Sequence, residues 1–299
     1  MSHSHDHSHS TNFERPIIIG IVLNSAFIII EIIYGIISNS IALITDAGHN
    51  FSDVISLILA WFAIWLIKKK STKKFTYGFK KGSILIALIN SILLLVALGA
   101  ITWEALQRLY SPHQVEGKIV ILVASAGIII NGITAYLFVK GKEDDLNIKS
   151  AFLHMLTDTL VSVGVVISGI LILYFNLEWI DPVISLIIVA VILIGTWGLL
   201  KETISLSMDA APDKVDTNEV QKYLSSIEGV SGVHDLHIWS MSTSQVALTT
   251  HIVCNNEIEN DTLLEIIRTD LHRKFGIEHS TIQIENNNDK GDCLQCDCD

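Results

Sequence analysis

Two apolar stretches of the chain each carry an imidazole and a carboxylate four residues apart, His49 with Asp53 and His154 with Asp158. On an α-helix, residues i and i+4 share a face, with Cβ atoms about 5 to 6 Å apart, so each pair presents two metal-ligating groups to one side. Taken singly, such a pair reads equally well as a helix-stabilising hydrogen bond. Two copies brought face to face supply four ligands, two imidazoles and two carboxylates without a thiolate. That set suits a tetrahedral zinc-like ion, whereas an all-oxygen set favours calcium or magnesium. Asp46, three residues before His49, shares its face and reads as an entrance group or a helix cap. Glu31, Asn24, Asn90 and Asn131 extend the polar interior, the asparagines as interhelical hydrogen-bonding groups.

The elements that must position these groups are membrane helices. Of 299 residues 50% are hydrophobic and 17% charged, and the mean hydropathy is +0.48, a composition outside the range of soluble domains. Runs long enough to cross about 30 Å of hydrocarbon fall at 17–37, 41–67, 84–109, 119–139, 151–175 and 180–200. The sequence therefore predicts six transmembrane helices. An ionisable side chain at membrane depth costs about 2.5 to 3.5 kcal/mol even on the lenient insertion scale. The His–Asp pairs in spans two and five consequently mark function.

Lysines set the orientation. The loop between spans two and three holds Lys68, Lys69, Lys70, Lys73, Lys74, Lys80 and Lys81, and that between spans four and five holds Lys140, Lys142 and Lys149. Across the membrane the only basic loop residues are Arg108 and Lys118. The positive-inside rule then places both termini in the cytoplasm.

The formal charge of -11 excludes a nucleic-acid binder that relies on a basic face. Residues 1–206 balance, with 14 basic and 14 acidic side chains, so residues 207–299 carry the whole excess, 6 against 17. This acidic half reads as a small cytoplasmic α/β domain of order αββαβ. Its elements are a helix over 216–227, strands at Val233–Met241 and Gln245–Val253, a helix at Asp261–Phe275 and a strand at Ser280–Glu285. The expected layout is thus a polar His-rich leader (1–15) that stays attached, a transport domain (16–206), a cytoplasmic domain (207–285) and a tail (286–299). Four cysteines, three of them in that tail, do not form a secreted disulfide framework and fit a reducing compartment.

Several segments together resemble the cation diffusion facilitators, six-span metal/proton antiporters with a cytoplasmic domain. They are SIALITDAGHNFSDVISLILA, NIKSAFLHMLTDTLVSVGVVISGILI, TYGFKK, GVHDLHIWSMS and TIQIE, and the likeness covers nearly the whole chain. The resemblance implies that His49, Asp53, His154 and Asp158 form the transport site, in the pattern associated with zinc. It also implies a cytoplasmic metal site at His234, His251 and Glu285, a homodimer held through the cytoplasmic domains, and a contact between Lys81 and Asp209. His237, three residues beyond His234, is expected on the opposite face of the strand and outside that site. The tail CLQC resembles the C-terminal Cys-x-x-Cys of some animal vesicular zinc transporters, which makes Cys293 and Cys296 candidate ligands, with Cys298 nearby. That subgroup's His-Cys-His element before span one is missing; His3, His5, His7 and His9 stand in its place.

The expected function is Zn2+/H+ antiport out of the cytoplasm, with membrane lipid around the spans and no organic cofactor. The alternative is a non-transporting membrane sensor using the cytoplasmic His and Cys groups, which leaves the intramembrane pairs without a purpose. A membrane zinc hydrolase is disfavoured, since catalytic zinc keeps an open position and four ligands without a spare glutamate fill it. A bacterial plasma membrane is the expected setting ahead of a eukaryotic vesicle.

Overall fold

The computed structural model describes residues 14–37, 41–110, 117–175, 179–255 and 259–286. Six long helices come first: α1 (Glu14–Ile37), α2 (Ile41–Lys68), α3 (Lys81–Tyr110), α4 (Gly117–Phe138), α5 (Leu146–Phe175) and α6 (Ile180–Ser207). Three stretches, Glu14–Tyr34, Lys81–Tyr110 and Pro182–Ser207, are each long and apolar enough to cross a membrane. Large apolar side chains such as Ile36, Val96, Trp103 and Ile194 point outward from these helices, as a hydrocarbon surrounding requires.

The helices run past the apolar runs that announce them. α3 starts at Lys81 rather than 84, α5 at Leu146 rather than 151, and α6 reaches Ser207 rather than 200. Hydropathy registers only the lipid-facing part; caps decide where a helix begins and ends. Asp145 Oδ1 accepts from the backbone N–H groups of Asn147 (2.8 Å) and Ile148 (3.3 Å), two donors that no helical carbonyl reaches at the start of α5. α6 closes where Met208 N–H turns back to Ile204 and Ser205 and Asp209 adopts φ 63°, a conformation that Asp tolerates better than most residues.

α1 packs on α2, α4 on α5 and α3 on α6, while α5 also touches α2, α3 and α6. One buried cluster joins Ile17, Leu57, Ala60, Phe138, Ile148 and Met155, and so seats α2 and α5 against each other between α1 and α4. Gly20 permits the close approach of α1 to α4, since a Cβ there would meet Thr134 Cγ2 at 2.8 Å. A second cluster, including Ile84, Leu146 and Leu199, ties α3 and α6 to the start of α5.

The remaining elements are α7 (Thr217–Ser225), β1 (Val230–Ser240), β2 (Val246–Cys254), α8 (Asn260–Phe275) and β3 (Ile277–Asn286), in the expected αββαβ order. β1 starts three residues earlier than its alternation announces. The sheet order is β1-β2-β3, with β1 and β2 antiparallel and β2 and β3 parallel. Leu248, Ile252 and Cys254 of β2 face a core completed by Val220 and Leu224 of α7 and Leu263, Ile267 and Leu271 of α8. Thr249, His251 and Val253 therefore project from the face those helices leave uncovered.

Candidate metal centres

Asp53 on α2 and His154 and Asp158 on α5 meet across the helix interface. His154 Nε2 lies 2.7 Å from Asp53 Oδ1 and 3.8 Å from Asp158 Oδ2. One ligand atom from each falls within 4.8 Å of the other two. Relative exposures of 0%, 7% and 8% leave all three buried. Tetrahedral zinc ligands at about 2.0 Å from the ion stand about 3.3 Å apart, so a small opening of the Asp53–His154 contact would admit one. The side chains of His49, one turn ahead of Asp53 on α2, and of Asp46 lie outside the described residues.

The surrounding interior is polar as expected. Asn24 Nδ2 donates to Gly20 O (2.9 Å) and Thr134 Oγ1 (3.4 Å), and Asn90 Nδ2 reaches Ser56 O (3.3 Å). Asn131 is buried. Asn50, which the motif reading passes over, donates to the buried Glu31 carboxylate at 2.8 Å. Its place next to His49, on the side of α2 that packs against α1, is the signal that would have found it.

A second group forms on the uncovered face of the sheet. Glu285 bridges two imidazoles, with Oε1 2.8 Å from His251 Nδ1 and Oε2 3.1 Å from His234 Nε2. The His234 and His251 ring centroids are 5.1 Å apart. Burial pushes the Glu285 carboxyl up, but the hydrogen bonds and charges of His234 and His251 outweigh it and hold the group below its ordinary range. Two imidazoles and one carboxylate with ligand atoms within 4.8 Å are a donor set that zinc accepts.

His237 departs from the expectation. His234 pairs with His251 and His237 with Thr249, three steps on β1 against two on β2. The extra residue is a β-bulge, marked by Asp235 at φ 52°. Cross-strand partners share a face, so the bulge returns His237 to the same face as His234. It nonetheless stays outside the group, its Nε2 2.9 Å from Asp235 Oδ1 and its side chain half exposed.

Lys81, at the start of α3, bonds the Asp209 carboxylate as well as Leu206 O (3.1 Å) and Ser240 O (3.5 Å). The contact inferred from the resemblance is therefore present within one chain. His3, His5, His7, His9, Cys293, Cys296 and Cys298 lie outside the described residues.

Residues 17–206 match the family described as the cation efflux transmembrane domain, and residues 212–287 match the cation efflux protein cytoplasmic domain. The chain is 34% identical over 286 residues to a cadmium, cobalt and zinc/H(+)-K(+) antiporter of Bacillus subtilis, covering 94% of this chain and 91% of that protein. It is 36% identical over 286 residues to the metal cation efflux system protein CzcD of Cupriavidus metallidurans, with 95% and 90% covered. To the zinc transporter ZitB of Escherichia coli it is 32% identical over 291 residues, with 95% and 93% covered. Among solved structures, the metal-bound C-terminal domain of the CzcD transporter matches at 38% identity over 24% of this chain and 99% of that domain, with a TM-score of 0.23. With both parts matched in order and full-length relatives aligned almost end to end, this integral membrane protein belongs to the cation efflux family, the cation diffusion facilitators of the zinc-transporter type.

Proposed function

We propose that the chain exports Zn2+ from the cytoplasm in exchange for protons, through a site formed by His49, Asp53, His154 and Asp158. One observation carries this reading: Asp53, His154 and Asp158 converge from two helices into a buried group with the donor chemistry of zinc. His49, an i, i+4 neighbour of Asp53, is the fourth ligand.

The coupling follows from the hydrogen bond. An imidazole binds zinc through an unprotonated nitrogen and a carboxylate binds it as the anion, so a proton taken up by the His154–Asp53 pair competes with the ion for His154 Nε2 or Asp53 Oδ1. Facing a near-neutral cytoplasm the site gives up the proton and binds the ion. Facing a more acidic side it regains the proton and expels the ion, and imidazole is the side chain suited to such an exchange under physiological conditions. Moving a divalent ion out against an inside-negative 100 mV costs about 4.6 kcal/mol, at about 2.3 per charge, and each returning proton offsets one charge.

In this reading all six long helices cross the membrane, a bacterial plasma membrane, with the lysine-rich loops and both termini in the cytoplasm. The chain divides into leader (1–15), transport domain (16–206), cytoplasmic domain (207–285) and tail (286–299). Two chains pair through the cytoplasmic domains. His234, His251 and Glu285 hold a resident zinc there, with Cys293 and Cys296 as further ligands; the ion would link strands β1, β2 and β3 at one point.

Zinc binding to the full-length protein in detergent tests the assignment. The wild type is expected to bind one ion in the membrane and one in the cytoplasmic domain. Asp53→Asn with Asp158→Asn should lose only the first, and His234→Ala only the second. Unchanged binding in the double variant would contradict the membrane site.

A further inference from the structure

The tip of the β1–β2 hairpin is buried against the membrane part of the same chain. Ser242 is 1% and Thr243 7% exposed. Thr243 Oγ1 donates to Asp145 Oδ2 at 2.5 Å, and Thr243 N–H donates to Ser83 Oγ at 3.2 Å. Asn147 Nδ2 completes the junction with bonds to Ser83 O (3.2 Å) and Thr243 Oγ1 (3.4 Å). Asp145 thus uses one carboxylate oxygen to hold the hairpin and the other to cap α5. His154 follows nine residues later on that helix, about 13 Å along its axis.

We propose that Thr243 and Asp145 are positioning residues for the transported cation. The cytoplasmic hairpin clamps the cap of α5 and thereby fixes His154 and Asp158 in register with Asp53. Neither residue touches the ion. The proposal rests on the reading of the buried Asp53–His154–Asp158 group as the cation's site. The hydrogen bonds at the junction are almost wholly buried, so an unmade partner there is costly. Three of the participating groups come from segments far apart in sequence, the start of α3, the cap of α5 and the hairpin, and a bond between such segments resists their relative movement. Ile148, Ala151 and Met155, which follow the cap, pack on Leu57 and Ala60 of α2. A shift at the cap is therefore passed to the interface that carries Asp53.

Without the clasp a smaller fraction of molecules holds the competent register, and apparent affinity falls by that fraction while saturating zinc restores it. The experiment is zinc flux in proteoliposomes of the full-length protein at a fixed pH gradient, as a function of zinc concentration. Thr243→Val, which removes the hydroxyl at constant shape, is expected to raise the half-saturating zinc concentration about fivefold, the scale of one lost hydrogen bond. Maximal flux should stay within about twofold of wild type, and Thr243→Ser should restore the wild-type value. Ser83→Ala, which deletes the other acceptor of Thr243 without altering the α5 cap, is expected to shift the curve the same way should Thr243→Val not fold.

A wild-type half-saturation in Thr243→Val and Ser83→Ala overturns the proposal. So does a fall in maximal flux alone, the mark of a merely structural contact. His154→Ala, run alongside, keeps the two readings apart: flux retained there defeats the cation site itself, whereas a silent His154→Ala with normal Thr243→Val kinetics defeats only the clasp.

Discussion

Asp53 and His154, 101 residues apart in sequence, are joined by a contact of 2.7 Å between two side chains that solvent hardly reaches. Asp158 stands 3.8 Å from the same imidazole nitrogen, so two carboxylates crowd one ring. Groups arranged for a ligand commonly carry strain that the ligand relieves.

Asp158→Asn should therefore melt no lower than wild type in the metal-free protein, and a few degrees higher where the two carboxylates repel. Zinc should no longer stabilise it once His234→Ala has also removed the cytoplasmic metal site. In a His234→Ala background, which leaves the buried group as the metal site, wild-type Asp158 should give a melting temperature that climbs with zinc as binding to the folded state demands. The check is a thermal melt across a zinc series. A zinc-dependent rise that survives Asp158→Asn would remove this carboxylate from the ligand set.

The pairwise spacing of His49, Asp53, His154 and Asp158 was legible because helical periodicity fixes which residues share a face. Which faces meet was not, since the packing of α2 on α5 depends on Leu57, Ile148 and Met155 interlocking across distant segments. The element order αββαβ followed from alternation and helical periodicity, and the His234–His251–Glu285 grouping from the resemblance alone. The side of the sheet taken by His237 did not, because one inserted residue at the Asp235 bulge reverses it and nothing in an alternating pattern announces an insertion. Thr243 lies in a turn between two strands, a place that carries no signal of burial in the sequence; its burial exists only because the hairpin meets α3 and α5.

The packing of α7 on α8 predicts an alkaline transition. Tyr223 donates to Asp270 Oδ2 at 2.5 Å, and burial first, then the hydrogen bond and charge of Asp270, push its hydroxyl up to about 12. A folded value above the ordinary 10 means that the stabilisation is complete below pH 10 and is lost as the pH rises toward 12. Denaturant unfolding of the full-length protein between those limits should lose stability in the wild type and less in Tyr223→Phe. Equal slopes in both would show that Tyr223 does not carry the effect.

The cytoplasmic group predicts the opposite dependence in acid. Glu285 is held below its ordinary 4.5, so its contribution is present above that value and disappears as the pH falls through the lower folded one. Glu285→Gln should flatten the acid limb of the unfolding curve and lower the zinc affinity of the cytoplasmic domain at least about tenfold, since about that much is lost even when only a group supporting a ligand is removed. An acid limb that is unaltered by the substitution would refute the bridging role of this carboxylate.

Competition between protons and zinc for the Asp53–His154 contact underlies the proposed antiport. Its most direct test is zinc uptake into proteoliposomes with an imposed pH gradient and an internal fluorescent zinc reporter, comparing wild type with His154→Ala. Gradient-driven uptake in the wild type, abolished in His154→Ala while the protein stays folded, is the predicted result. Equal uptake in the two proteins, or wild-type uptake indifferent to the gradient, would contradict it.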